Sequence, residues 1–99
     1  MKVFILEQSS NPNKKYTVIR LNPTLKSISF GSAGSDDFTS SNDITKKRNY
    51  LARHKANENW NDSNTAGFWS RHLLWNKPTL DESIKATEKK FSIKIIKAL

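Results

Sequence analysis

The sequence predicts an α+β fold: a small antiparallel sheet of three or four strands with two or three short helices. Short β-branched and aromatic runs separated by turn residues occupy the first thirty positions. The middle of the chain shifts to helical periodicity with cap signals. The last residues return to strand alternation. At 99 residues the chain is expected to form one domain. Its expected parts are a sheet-forming stretch 1–31, a loop 32–42, a helical stretch 43–88 and a final strand 89–97.

Val3-Phe4-Ile5-Leu6 is short, apolar and β-prone, and reads as the first strand. Ser9 to Asn13 is a turn by composition. Lys14 to Leu21 is the second strand, and Asn22-Pro23-Thr24 the turn that follows. Leu25 to Phe30 alternates, with Ile28 and Phe30 on one face, and makes the third strand of a meander with one buried face. Gly31 to Asn42 is small and polar, a loop whose one apolar anchor is Phe38. No Gly-Lys-Ser/Thr follows its two glycines, so it is not a phosphate loop.

Asp43 can cap a helix from Ile44 to about Glu58. Ile44, Lys47, Leu51 and His54 share one stripe with Tyr50 adjacent, so its apolar face is narrow. The asparagines between Asn57 and Asn64 mark a break around Trp60. A second helix is predicted over Thr65–Trp75, with Trp69 and Leu73 in the core and Phe68, His72 and Trp75 on an adjoining face. Thr79 and Glu82 have capping-box spacing and open a third helix that buries Leu80 and Ile84. Phe91, Ile93 and Ile95 alternate and read as the last strand.

The hydrophobic fraction is 35%, so the core must be small, and five Phe, three Trp and two Tyr compensate with large buried area each. The net charge of +8 favours polyanions and acidic protein surfaces. Most of the excess lies beyond residue 40. There is no cysteine, which excludes disulfides, thiolate zinc sites and a cysteine nucleophile. The apolar run after Met1-Lys2 is too short for a signal-peptide core, and no stretch is long enough to span a membrane. The chain is therefore expected not to be secreted.

Catalytic patterns are weak. His54 and Glu58 are four apart and could share a metal, but only His72 remains to complete a site, and zinc needs three or four ligands. A local ion pair is the better reading. No nucleophile–base spacing or paired carboxylates stand out, and Asp36-Asp37 has no identifiable partner in the sequence. No enzymatic activity, cofactor or metal is expected. Tyr50-Leu51-Ala52-Arg53-His54 is echoed by Phe68-Trp69-Ser70-Arg71-His72, and a chance match between short helical segments explains this best.

The sharper signal is the first helix. Lys46, Lys47, Arg48, Arg53 and Lys55 have no acid among them and are flanked by Tyr50 and Trp60. Cations can take phosphates and an exposed indole can stack a base, so these five residues and Trp60 are the candidate nucleic-acid or partner-binding set. The bland alternative is a solvated helix face beside core aromatics.

Three groups of residues carry a resemblance. The first is Ser29-Phe30-Gly31 with Gly34 and Asp37-Phe38-Thr39, and the second is Tyr50 to Lys55 with Glu58-Asn59-Trp60. The most specific is the run from Thr65 to Leu80. Together they resemble an uncharacterised family of small proteins encoded by large DNA viruses, over Lys15–Ile84. The resemblance implies a viral origin and brings no catalytic residues. Joined to the basic surface, it leads to the expectation of a virion-associated minor component that bridges capsid proteins or contacts the packaged genome. The alternative is a sequence-independent DNA- or RNA-binding module of viral replication or transcription. Capsid or other viral proteins are the expected partners, with no membrane. The expected location is the virion and the host-cell cytoplasm or nucleus.

Overall fold

The computed structural model describes residues 1–99 and has a small α+β architecture, with helices on one face of a four-stranded sheet. The strands are β1 (Val3–Gln8), β2 (Lys14–Arg20), β3 (Lys26–Ser32) and β4 (Lys94–Ala98), in the order β3-β2-β1-β4. β1, β2 and β3 form the expected antiparallel meander, with Leu6 opposite Val18 and Tyr16 opposite Phe30. The sheet is mixed, however, because β4 runs parallel to β1, pairing Phe4 with Ile95. A hairpin cannot join parallel neighbours. Here the whole helical part is the connection between β3 and β4, and it returns the chain to the free edge of β1.

The helices are α1 (Phe38–Ser41), α2 (Ile44–His54), α3 (Ala66–Trp69) and α4 (Leu80–Phe91), with a π-helical turn (Ser70–Leu74) continuing α3. α1 lies inside the expected loop. Asp37 caps it, accepting from the Ser40 amide while the Ser40 hydroxyl accepts from the Asp37 amide. α2 ends at His54, short of the expected Glu58. Its buried stripe is Lys47, Tyr50 and His54, and Ile44, expected on the apolar face, is 51% exposed.

Thr79 caps α4 by accepting from the Glu82 amide, but Glu82 accepts from the Thr79 hydroxyl and not from its amide, so only half of the capping box forms. The predicted last strand starts too early. Phe91 completes α4 because its ring packs on Phe68 and His72, each at 4.8 Å. Ser92 then takes a left-handed conformation (φ 54°) that ends the helix.

The core lies between the helices and the inward residues of the sheet. Phe4, Leu6, Val18, Phe30 and Ile95 meet Phe68, Trp69, Leu73, Leu74 and Ile84. Trp69 is fully buried, with its ring 4.8 Å from Phe4 and 4.9 Å from Phe68. Its indole N–H donates to the Ser63 carbonyl at 2.9 Å. This is the aromatic centre that a chain of low apolar content requires. The π-turn widens the backbone, so the Ser70 carbonyl accepts from the Trp75 amide. Its His72 carbonyl accepts from the Thr87 hydroxyl and the Asn76 side chain instead. No helix is long and apolar enough to cross a membrane.

Candidate nucleic-acid interface

α2 positions the cationic residues singled out in the sequence. Asp43 accepts from the Thr45 and Lys46 amides and fixes the first turn. Tyr50 then anchors the helix. Its ring is 4.3 Å from the His54 ring and lies parallel to the Trp75 ring at 4.5 Å. At 6% exposure both its faces are covered. Burial, with Glu58 nearby, pushes its hydroxyl pKa well up, so the phenol stays neutral.

With Tyr50 inward, Lys46, Arg48, Arg53 and Lys55 all face solvent. Arg48, Arg53 and Lys55 make no ion pair, whereas Lys46 meets Asp36 at 3.1 Å. Lys47 points the other way. Its ammonium donates to the Asn76 carbonyl at 2.6 Å and lies 4.8 Å from the centre of the Phe38 ring. Burial lowers its pKa, and the charges of Arg71 and Lys77 lower it further. Trp60 is half-buried, donates to Glu58 at 2.9 Å and has the Arg71 guanidinium 5.4 Å from its ring. Of the six candidates, the structure thus brings Lys46, Arg48, Arg53 and Lys55 to one outer surface. It turns Lys47 into the packing and covers part of the Trp60 ring.

Beside α2 lies a cleft of about 330 Å³, between the end of β3, the loop before α1, and α3. A shallower groove of about 390 Å³ adjoins it, and Ser35, Asp36, Arg53 and Trp75 line both. Glycine makes the cleft possible. Gly31 has φ +79°, and a Cβ there would lie 2.8 Å from Leu74 Cδ1. A Cβ on Gly67 would lie 2.7 Å from Glu58 Cδ, so the absent side chain leaves room for that carboxylate.

The acids of the cleft are all engaged. Asp37 is buried, holds Lys15 at 2.5 Å and caps α1. Asp36 holds Lys46. Glu58 bridges His54 Nδ1 at 3.3 Å and the Trp60 indole. Arg53 and Lys14, both exposed, are the lining cations without an acid, so the mouth of the cleft is positive. Sequence reasoning missed this cleft and the Trp75 edge of it. Asp36-Asp37 was the visible signal, but their lysine partners lie 10 and 22 residues away along the chain.

His72 does not join His54 and Glu58. Its Nε2–H donates to the Trp60 carbonyl at 2.7 Å inside the core, and no group of three His, Asp or Glu side chains is placed to hold a metal ion. The two echoed pentapeptides do share a geometry. Each stacks its first ring on the histidine four residues later, Tyr50 on His54 and Phe68 on His72 at 4.6 Å. Their surroundings differ, since His54 borders the cleft and His72 is core.

Fold and site together define a small α+β domain with one cationic helix face opening onto a charged cleft. Residues 4–54 match the family described as Family of unknown function (DUF5754), and the chain belongs to that family. The matched span runs from β1 to the end of α2. It includes Lys15, Asp37, Tyr50, Arg53 and His54 and stops before the Thr65–Leu80 run. Comparison with curated proteins and with solved structures gives no match.

Proposed function

We propose that this protein is a non-enzymatic binding module that docks on a phosphate backbone through the outer face of α2 and the mouth of the adjoining cleft. The observation that carries the reading is the exposure of Arg48, Arg53 and Lys55 without ion pairs, on a body of net charge +8. Solvated cations of this kind bind nucleic acid by releasing its counterions. Trp75, which borders both hollows, is the aromatic best placed to meet a base, in preference to Trp60. The engaged state of Asp36, Asp37 and Glu58 argues against acid–base chemistry in the cleft. The likeness to small proteins of large DNA viruses supports a place in a virus particle, bridging capsid proteins or contacting the packaged genome.

The test is fluorescence anisotropy with short labelled DNA across a salt series. The logarithm of the binding constant should fall linearly with that of salt, by about 0.9 per phosphate contact on duplex. Arg48→Ala, Arg53→Ala and Lys55→Ala together should reduce the slope by about one unit per lost contact. Lys46→Ala with Lys47→Ala should change it less, because both ammonium groups already have protein partners. Absence of binding at low salt would remove the nucleic-acid reading. An unchanged slope in the triple variant would move the surface elsewhere. Protein found in infected-cell lysate but not in purified particles would exclude the virion.

A further inference from the structure

The helices cover only one face of the sheet. The inward residues Phe4, Leu6, Val18, Phe30 and Ile95 belong to the core. Strand alternation turns Val3, Ile5, Ile19 and Ile96 to the opposite face. None of the four is in the core or among the partly buried residues packed around it. Ile5 stands opposite Ile19 on one side and Ile96 on the other, so three isoleucines form an unbroken row across β2, β1 and β4. Ile96 is 43% exposed. A contiguous apolar patch on so polar a chain marks a contact surface.

We infer that this face joins two copies of the chain, sheet against sheet, independently of what α2 binds. Charge identifies the occupant. Glu7 closes the β1 line at one end of this face, and Lys94, paired with Val3, stands at the other. Neither makes an ion pair within the chain. A two-fold axis along the Ile19–Ile5–Ile96 row reverses the strand direction of the second copy. Ile5 then lies over the partner subunit's Ile5, and Glu7 of each copy comes over the Val3–Lys94 row of the other. The face is therefore complementary to itself in both shape and charge, as a two-fold contact requires. Edge-to-edge pairing suits the molecule less well. The outer strands carry Lys26, Lys94 and Lys97, and lysines oppose strand addition.

Four strands about 4.8 Å apart and six residues of about 3.3 Å give a face of roughly 19 by 20 Å. That is about half of the ~800 Å² that each partner contributes to a standard stable interface. The dimer is accordingly a reversible one that forms with rising concentration.

Sedimentation velocity of the full chain, from low to high micromolar, provides the test. The expected result is a monomer–dimer equilibrium. Ile96→Lys should abolish it, and Glu7→Lys should weaken it at least about tenfold, since like charges would then face each other twice. Combining Glu7→Lys with Lys94→Glu should restore association. All three residues lie outside the core, so thermal melts at low concentration should match the parent. A parent that stays monomeric at every concentration overturns the inference. So does a dimer indifferent to both Ile96→Lys and Glu7→Lys. Failure of the double variant to recover what Glu7→Lys loses refutes the two-fold arrangement.

Discussion

Acid should weaken this protein before its carboxylates titrate, and His72 is the reason. Its ring lies between Phe68 and Phe91, 4.6 and 4.8 Å away, and the residue is 4% exposed. Burial lowers its pKa to about 4; the Trp60 carbonyl it bonds opposes that shift, while Arg71 and Lys90 add to it. The unfolded chain has the ordinary value of about 6.5. A depressed folded pKa means that the unfolded state takes the proton first, so its stabilising contribution is complete above about pH 7. That contribution is lost as the pH falls from about 6.5 towards about 4, below which both states are protonated. The full gap corresponds to about 3 kcal/mol, of which about 2 kcal/mol disappears between pH 7 and pH 5. Urea unfolding followed by tryptophan fluorescence at these two pH values measures the difference. His72→Gln keeps a donor for the Trp60 carbonyl but cannot titrate, so its stability should be nearly flat over the same interval. Equal parent stability at pH 7 and pH 5, or an undiminished slope in His72→Gln, would refute the argument.

Two further substitutions probe the packing. Trp69→Ala removes the fully buried ring between Phe4 and Phe68 and leaves the Ser63 carbonyl without its donor, so chemical denaturation should show a loss of about 3–5 kcal/mol. A near-normal midpoint would show that the aromatic cluster is not the stabilising centre. Gly31→Ala places a side chain at φ +79° and against Leu74 Cδ1, and should cost about 1–3 kcal/mol in the same assay. Unaltered stability there would mean that the end of β3 relaxes freely.

Much of the fold was readable because its signals are local. Alternation in Lys14–Arg20 and Lys26–Ser32, the caps at Asp43 and Thr79, and the aromatic spacing of Phe68, Trp69 and Leu73 each act over a few residues. The basic character of α2 was likewise visible as composition. Boundaries were less legible. Phe91 obeys the strand alternation of Ile93 and Ile95, yet packing on Phe68 and His72 keeps it in α4. Asp37-Phe38-Thr39-Ser40 carried a short capping signal that the surrounding polar residues hid.

The sequence by itself determined the class of fold, the aromatic core and the excess of positive charge, because each follows from residue type and spacing along the chain. Only the tertiary structure decided which charges are available. Lys46 and Lys47 adjoin Arg48 in the chain, but Asp36 takes the first and the Asn76 carbonyl the second, while Arg48 is left to solvent. It also decided the parallel seat of β4, which sets Ile96 beside Ile5 and Lys94 beside Val3 and completes the uncovered face. Pairings of this kind join residues far apart in the chain, and their energies depend on burial and distance, which no local pattern encodes.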